Sequence, residues 1–235
     1  MVLYYLVVFM VNGKMMSKDL NILYEDNHII VVEKPCNILS QGDSTKDISL
    51  LDMVKEYIKN KYKKPGNVYL GLVHRLDRPV GGLMVFARSS KASSRLMKSF
   101  QQHLVDKRYL AIVNGKMEKE KDEFIDFIEK GKDGNSFISV TGKKAVLDYE
   151  VLSYLKEKNC SLVSIRLKTG RHHQIRIQFA SRGHFILGDQ RYGIVDYKQI
   201  SLFCYYLSFT HPITKEIMKF QLEMPHYDYW TLFTM

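Results

Sequence analysis

The order of apolar and polar residues near the start of the chain predicts a β-hairpin followed by a helix. Residues 22–24 and 28–32 are mainly apolar, and Asp26 and Asn27 lie between them in a pattern typical of a tight turn. From Ser49 to Lys61 apolar residues recur every three or four positions, with charged residues on the other side. This spacing predicts an amphipathic helix.

Further along the chain the pattern predicts short strands and one more helix. Strands are predicted over 68–73, 83–87, 107–113, 136–140, 144–152, 163–167, 202–209 and 216–222. A second helix is predicted from Ser90 to Gln102, with Ser89 or Ser90 as its N-cap. The charged segment from Met117 to Gly134 is predicted to be a surface excursion. The segment 171–179 stays open, because strand and helix periodicities both fit it.

The length and composition fit one folded domain over residues 20–235. The chain has 235 residues, of which 46% are hydrophobic, and these suffice for a sizeable core. No Gly/Ser-rich linker, low-complexity tract or internal repeat marks a second domain. Together with the strands above, this predicts an α+β fold with a mixed, largely antiparallel sheet and flanking helices.

Residues 1–19 are interpreted as an N-terminal extension that results from a misassigned start. The apolar run from Val2 to Val11 is too short to span a bilayer as a helix. It also lacks the basic residue before it and the cleavage site after it that a secretory signal requires. We expect translation to begin at Met15 or Met16, directly before the first convincing strand.

The charge indicates a polyanionic partner. Lysine and arginine number 35 against 25 acidic residues, a formal net charge of +10, and nucleic acid is the leading candidate over an anionic membrane surface. The isolated cysteines Cys36, Cys160 and Cys204 indicate free thiols in a reducing compartment, which predicts a cytoplasmic protein. The spacing of histidines, cysteines and carboxylates predicts no metal site.

The hexapeptide from His74 to Pro79 places one carboxylate, Asp77, between two guanidinium groups, those of Arg75 and Arg78. Opposite charge at close range favours an ionised carboxylate, which makes Asp77 a candidate nucleophile. A surface turn with a structural ion pair is an equally good interpretation of this hexapeptide on its own.

Three further motifs decide between these interpretations: Lys34-Pro35, the segment Arg108 to Ala111, and the segment Thr169 to Arg176. With the hexapeptide they resemble the RluA-type pseudouridine synthases, over about residues 20 to 225. The resemblance implies an α+β fold with a central RNA-binding cleft and isomerisation of uridine in RNA. It implies no cofactor. Ribosomal and transfer RNA fit equally well as substrates, and we expect a monomer with no obligate protein partner.

The resemblance also implies roles for individual residues. It assigns catalysis to Asp77 as nucleophile, to Tyr109 as a stacking and proton-transferring residue, and to Arg176 as the direct charge partner of Asp77. It assigns contacts with RNA to His74, Arg75, Arg78, Arg171, His173 and Gln174. The residues themselves leave structural alternatives open: Tyr109 as an ordinary strand tyrosine, and Arg171, His173 and Gln174 as a helix cap or buried polar groups.

Two departures from the family pattern stand out. Val80-Gly81-Gly82 replaces the Thr-Ser-Gly of many members, and Gly81 is expected to adopt backbone angles that a serine adopts only at a cost. No basic RNA-binding module of S4 type fits before Leu20. The alternative function is an RNA-binding or RNA-folding protein of the same fold whose catalysis is dispensable. A metal-dependent nuclease lacks the second carboxylate cluster that such a site requires.

Overall fold

A computed structural model describes residues 3–11, 14–196 and 198–233 of the chain. These residues form two compact units. The first unit contains Met1–Val105 and Ser208–Phe220, and the second contains Asp106–Leu207 and Gln221–Met235.

The first unit combines an antiparallel sheet with two helices. Its strands, in chain order, are β1 (Leu3–Val11), β2 (Lys14–Glu25), β3 (Ile29–Lys34), β4 (Gly71–Leu72) and β5 (Gly81–Ala87). Its helices are α1 (Leu50–Lys61) and α2 (Ser90–Gln101). Adjacent strands in the sheet follow the order β1, β2, β3, β5, and β4 also pairs with β5.

The predicted hairpin is confirmed as the pair β2 and β3. Asp26 closes its turn, since its Oδ1 atom accepts hydrogen bonds from the backbone N–H groups of His28 and Ile29, each at 2.7 Å. An aspartate side chain that binds the backbone two and three residues onward is a common way to build such a turn. The pattern of apolar residues and the turn chemistry therefore agree.

The second unit contains the other strands and the third helix. Its elements are β6 (Asp106–Asn114), β7 (Lys121–Lys130), β8 (Ser136–Ile138), β9 (Lys143–Leu155), β10 (Cys160–Leu167) and α3 (Gln174–Ala180). The strands are adjacent in the order β6, β10, β9, β7, β8, and every pair is antiparallel. Strand β11 (Leu202–Thr210) begins in the second unit and ends in the first, and it pairs with β12 (Ile217–Gln221).

Two local predictions need correction, and the structure assigns the segment that stayed open. The segment from Met117 to Gly134 is not a surface excursion, because it contains the ten-residue strand β7. Phe124 and Ile128 on one face of β7 are buried, and the many charges around them obscured that alternation in the sequence. The strand predicted over 68–73 is reduced to β4. The open segment 171–179 contains a helix, α3.

The structure confirms an α+β fold with a large, mostly antiparallel sheet. The bridge between Leu39 and Ser49 is parallel, but it is isolated and lies outside the strands. Within the described ranges, no helix is long and apolar enough to cross a membrane.

The predicted N-terminal extension coincides with strand residues in the structure. Strand β1 pairs along its whole length with β2, which crosses the predicted boundary at residue 20. Residues 1, 2, 12 and 13, which belong to the same predicted extension, lie outside the described residues. The start at Met15 or Met16 stays a prediction.

The N-terminus of α1 gives a test of local stability. Ser49 is fully buried, and its hydroxyl accepts a hydrogen bond from the backbone N–H of Asp52, whose side chain accepts one from the Ser49 N–H in return. Because this reciprocal cap satisfies two backbone donors, Ser49→Ala should lower the free energy of unfolding by about 1 kcal/mol. Urea unfolding measures the loss. The exposed Ser44→Ala variant is the control, and an equal effect of both substitutions would contradict the capping role.

Candidate active site

Asp77 lies in the first unit on the loop between β4 and β5, here called the Asp77 loop (residues 73–80). The residue is partly exposed, while its neighbours Leu76 and Val80 are buried. The carbonyl of Asp77 accepts a hydrogen bond from the N–H of Val80 at 3.0 Å, which closes a turn directly after the carboxylate. The loop therefore exposes the aspartate from a backbone that is held in place.

Two buried side chains hold the backbone on either side of Asp77. The hydroxyl of Ser40 donates to the carbonyl of Leu76 at 2.7 Å and accepts from the Leu76 N–H at 3.1 Å. The ammonium group of Lys34 donates to the carbonyl of Arg78 at 3.0 Å. The residues before and after the carboxylate are thus both tied to the protein interior.

Lys34 is a fully buried lysine. Its Nζ atom also donates to the carbonyls of Pro35 and Ile38, at 3.0 Å and 2.6 Å, so that three acceptors surround it. Burial lowers the pKa of the Lys34 ammonium from 10.5 to about 7, while the nearby charge of Asp77 acts in the opposite direction. A positive charge that is expensive to bury therefore lies close to the candidate nucleophile.

The arginines beside Asp77 do not surround it as the sequence suggested. The Nη2 atom of Arg78 lies 2.7 Å from Asp47 Oδ2, and both side chains are about half exposed. Arg75 is exposed and pairs with no carboxylate in the described ranges of the chain. The ion pair of Arg78 is thus with Asp47, and the effect of the two arginines on the charge of Asp77 stays a prediction. Both remain available for contacts with RNA, which stay a prediction.

The first residue of the motif has a structural role. The imidazole of His74 stacks on the ring of Phe100, with ring centres 4.5 Å apart, and its Nε2 atom accepts a hydrogen bond from the Val85 N–H.

The expectation about the glycines after the hexapeptide also needs correction. The left-handed backbone conformation is at Gly82, with φ of 118°, and not at Gly81. Gly82 is the glycine that the family pattern retains.

The second unit holds Tyr109 and Arg176. Tyr109 is buried on β6 and faces Ile165 of β10, which in turn faces Tyr149 of β9. Directly paired residues of antiparallel strands share one face of the sheet. Phe179 of α3 packs against Tyr149, with ring centres 5.8 Å apart. Tyr109 and the helix that carries Arg176 thus lie on the same face of this sheet.

Arg176 is 3% exposed and makes a bidentate ion pair with Asp189, which is 1% exposed. The Nε and Nη2 atoms of the guanidinium lie 2.7 Å and 2.6 Å from the two carboxylate oxygens. Gly188, directly before Asp189, lies against another backbone segment: its φ is +76°, and a Cβ atom there would lie 2.3 Å from the carbonyl oxygen of Gln199. The arginine is therefore fixed in position by a planar pair of hydrogen bonds.

Gln174 supports the turn before α3. Its Oε1 atom accepts hydrogen bonds from the Arg171 N–H and the Thr169 hydroxyl, and its Nε2 atom donates to the carbonyl of Val146. The side chain of Arg171 donates to the carbonyl of Lys144. These contacts correspond to the structural alternative for this segment, and direct contact of Gln174 with RNA stays a prediction.

His173 precedes α3 in a left-handed conformation, with φ of 52°. Its Nδ1 atom lies 2.8 Å from the hydroxyl of Tyr192. The ring of His172 lies 3.8 Å from that of His173. The neighbouring histidines are thus held as a pair.

Sequence reasoning assigned no role to four residues that the structure connects to these sites: Lys34, Lys107, Asp189 and Tyr192. Lys34 lies within the Lys34-Pro35 motif, but a buried charge has no signature in a single sequence. Lys107 shares the strand face of Tyr109, and burial lowers its pKa. Alternation along β6 was the signal that could have identified it.

The sequence-predicted residues divide between the units. His74, Arg75, Asp77 and Arg78 lie together on the Asp77 loop, while Tyr109, Arg171, His173, Gln174 and Arg176 belong to the second unit. Within residues 3–11, 14–196 and 198–233, no three histidine, cysteine or carboxylate side chains are grouped as ligands for a metal ion.

Comparison with known proteins identifies the class of enzyme. The family described as RNA pseudouridylate synthase matches residues 28–181. An uncharacterized RNA pseudouridine synthase of Aquifex aeolicus is 35% identical over 222 residues, covering 88% of this chain and 70% of that protein. The ribosomal large subunit pseudouridine synthase D of Zymomonas mobilis is 32% identical, with coverage of 92% and 72%. The dual-specificity RNA pseudouridine synthase RluA of Haemophilus influenzae is 35% identical, with coverage of 86% and 91%.

Solved structures show the same fold. Human RNA pseudouridylate synthase domain containing 4 has a TM-score of 0.74 at 21% identity, covering 90% of this chain and 91% of that one. Human RNA pseudouridylate synthase domain containing 1 has a TM-score of 0.72 at 23% identity, with coverage of 88% and 84%. Fold and sequence thus define an RNA-modifying isomerase. The chain belongs to the RNA pseudouridine synthase family, in its RluA type, which confirms the resemblance inferred from the motifs.

Burial of Lys34 predicts a dependence of stability on pH. Because its pKa is about 7 in the folded protein and 10.5 otherwise, the unfolded chain binds more protons between these values, and stability rises with pH. Relative to Lys34→Met, the wild type should gain at most about 1.4 kcal/mol of unfolding free energy per pH unit from pH 7 to 9.

Urea unfolding of both proteins at pH 7, 8 and 9 measures this difference. Lys59→Met, which removes an exposed lysine of α1, is the matched control and should run parallel to the wild type. Parallel curves for Lys34→Met and the wild type would show that Lys34 does not titrate in this range.

Proposed function

We propose that this protein converts specific uridines of structured RNA to pseudouridine, with Asp77 as the nucleophile. The observation that carries the assignment of Asp77 is the support of its loop. Ser40 binds the backbone of Leu76, Lys34 binds that of Arg78, and the residue between them is partly exposed. A reactive group held by buried neighbours needs little reorganisation when substrate binds.

The reaction rearranges bonds within one nucleotide. The N1–C1′ glycosidic bond breaks, the uracil turns in the pocket, and a C5–C1′ bond forms. The proton on C5 then leaves, and N1 gains a proton, so that the product is an isomer of uridine. Asp77 attacks C1′ or assists elimination to a glycal, and both routes require an ionised carboxylate.

Tyr109 and Arg176 are proposed to complete the catalytic set. A guanidinium has five N–H donors, and Asp189 engages the Nε and Nη2 atoms of Arg176. We propose that Arg176 is the charge partner of Asp77 in catalysis, because an arginine stabilises an ionised carboxylate. Tyr109 has an aromatic face for stacking on uracil and a hydroxyl for moving a proton. The alternative, that Tyr109 is a purely structural strand residue, is tested by the tritium-release assay described below for Asp77.

RNA as partner follows from the family and agrees with a net charge of +10. Arg75 and Arg78, both exposed, are proposed to contact the substrate near Asp77. A uridine within a stem has to leave its stack before a carboxylate reaches its sugar, and basic side chains at the loop support that step. The name of the Zymomonas relative supports ribosomal RNA of the large subunit first, and transfer RNA is the second candidate. A monomer in the cytoplasm remains the expectation.

Asp77→Asn tests the nucleophile. The substitution keeps the size of the side chain but removes its charge, so the rate of tritium release from RNA labelled at uridine C5 should fall by at least about 10³-fold. RNA affinity, measured by filter binding, should stay within about 3-fold, since one carboxylate contributes little to contacts with phosphates.

Asp47→Asn is the matched control, because it removes an exposed carboxylate near the same loop. It should leave tritium release almost unchanged. Undiminished turnover of Asp77→Asn would contradict the nucleophile. A wild type that binds RNA but forms no pseudouridine would support the alternative, a protein that acts on RNA folding alone.

Pseudouridine maps of total RNA, with and without this protein, test the substrate. We expect one or a few sites in the large-subunit ribosomal RNA to disappear when the protein is absent and to return when it is supplied. Sites lost only from transfer RNA would replace ribosomal RNA with the second candidate. An unchanged map would contradict the proposed activity.

A further inference from the structure

Tyr192 connects three segments of the second unit, although it lies outside every motif that the sequence indicated. Its hydroxyl accepts a hydrogen bond from the N–H of Ser136, at the start of β8, at 2.6 Å. The same hydroxyl lies 2.8 Å from Nδ1 of His173. Its ring faces the guanidinium of Arg176, whose carbon lies 5.2 Å from the ring centre. One side chain therefore contacts both His173 and Arg176.

The hydrogen bond between Tyr192 and His173 relates the phenol proton to the tautomer of His173. A phenol has one proton to donate, and its oxygen already accepts from the Ser136 N–H. His173 Nδ1 and the side chain of Ser136 both lie within reach of that proton. When the phenol donates to Nδ1, the neutral imidazole is unprotonated there and carries its hydrogen on Nε2, so that His173 is a donor through Nε2.

The same reasoning gives His172 the opposite tautomer. The hydroxyl of Ser136 donates to the carbonyl of His172 at 2.8 Å, since a carbonyl can only accept. Toward Nδ1 of His172, 2.9 Å away, the hydroxyl oxygen is therefore the acceptor, and Nδ1 carries the hydrogen. With the phenol donating to His173, the two neighbouring imidazoles differ in the nitrogen that is protonated.

Tyr192 also belongs to the segment that holds Arg176. Its backbone N–H donates to Asp189 Oδ1 at 3.3 Å, and that of Arg191 donates to the same oxygen at 2.9 Å. Burial raises the pKa of the Tyr192 hydroxyl, which keeps the phenol protonated. The aromatic face and the carboxylate of Asp189 together limit the movement of the guanidinium.

The backbone of His173 adds a reason for such support. A non-glycine residue in the left-handed region is strained, and the surrounding structure has to compensate for that strain. The Tyr192 hydroxyl binds the imidazole of this residue. It thereby limits relaxation of the turn that begins α3.

We propose that Tyr192 is a positioning residue, which orients His173 as an Nε2 donor to an acceptor oxygen of the RNA and holds Arg176 in its catalytic position. The inference rests on the proposed function of His173 and Arg176. The substrate group that His173 would recognise is a phosphate oxygen or a carbonyl of uracil, both of which accept a hydrogen bond.

Nitrogen NMR tests the geometric part without any substrate. In wild-type protein at neutral pH, long-range proton–nitrogen spectra should show His173 as the Nε2–H tautomer and His172 as the Nδ1–H tautomer. In Tyr192→Phe the His173 signal should move toward a mixture of tautomers. A protonated imidazolium or an Nδ1–H tautomer at His173 in the wild type would overturn the assignment.

The NMR signal of the Arg176 side-chain Nε–H reports on the contact between the guanidinium and the Tyr192 ring. Its chemical shift should change in Tyr192→Leu, which removes the aromatic face, and change less in Tyr192→Phe. An identical shift in all three proteins would show that the ring does not act on the guanidinium.

Single-turnover kinetics on an unmodified transcript of large-subunit ribosomal RNA test the consequence. Tyr192→Phe should lower the rate constant for the bound RNA by about 3- to 10-fold, as loss of one hydrogen bond implies. Tyr192→Leu should lower it by about 10- to 100-fold. Tyr154→Phe, which removes a tyrosine hydroxyl bonded to Asn159, is the matched control and should react like the wild type.

The outcomes separate the two proposals. A rate constant unchanged in both variants of folded protein, with only a lowered melting temperature, would reduce Tyr192 to a structural residue. A wild type that forms no pseudouridine on ribosomal or transfer RNA would overturn the proposed function instead. The tautomers and the Arg176 signal would still decide whether Tyr192 orients these side chains.

Discussion

The buried ammonium group of Lys34 is the constraint on which the Asp77 loop depends. An unpaired charge in a protein interior is very costly, so the chain has to supply acceptors on every side. The carbonyls of Pro35, Ile38 and Arg78 meet this requirement, and the last of these comes from a segment 44 residues away. The loop is thus fixed by the need to surround a charge.

The second unit is organised around another buried charge. Arg176 and Asp189 neutralise each other in a bidentate pair, and the backbone N–H groups of Arg191 and Tyr192 complete the coordination of the carboxylate. Removing one member of a buried ion pair destabilises a protein far more than replacing both members with well-packed apolar residues. Both units therefore use a buried cation to restrict a segment that carries a candidate functional residue, and rigidity of this kind suits catalysis by preorganised groups.

Local signals in the sequence were sufficient where one segment determines its own structure. The β2–β3 turn, the amphipathic pattern of α1 and the Ser89 cap of α2 depend on residues close together in the chain, and these predictions are confirmed. The prediction for β7 was wrong. Charged residues along this strand hide its alternation of apolar and polar positions, and the strand becomes evident only from its pairing with the neighbouring strand. The segment of α3 fits two periodicities, and its packing through Phe179 selected the helix.

The sequence by itself determined the family, the fold class and the identity of the candidate catalytic residues, because motifs at set spacings carry that information without coordinates. Only the tertiary structure decided which side chains support them. Arg78 pairs with Asp47, and Lys34 supports the Asp77 loop. Tyr192 contacts both His173 and Arg176. Burial and hydrogen bonding between distant segments arise from packing in three dimensions. They cannot be inferred from residue spacing in a single sequence.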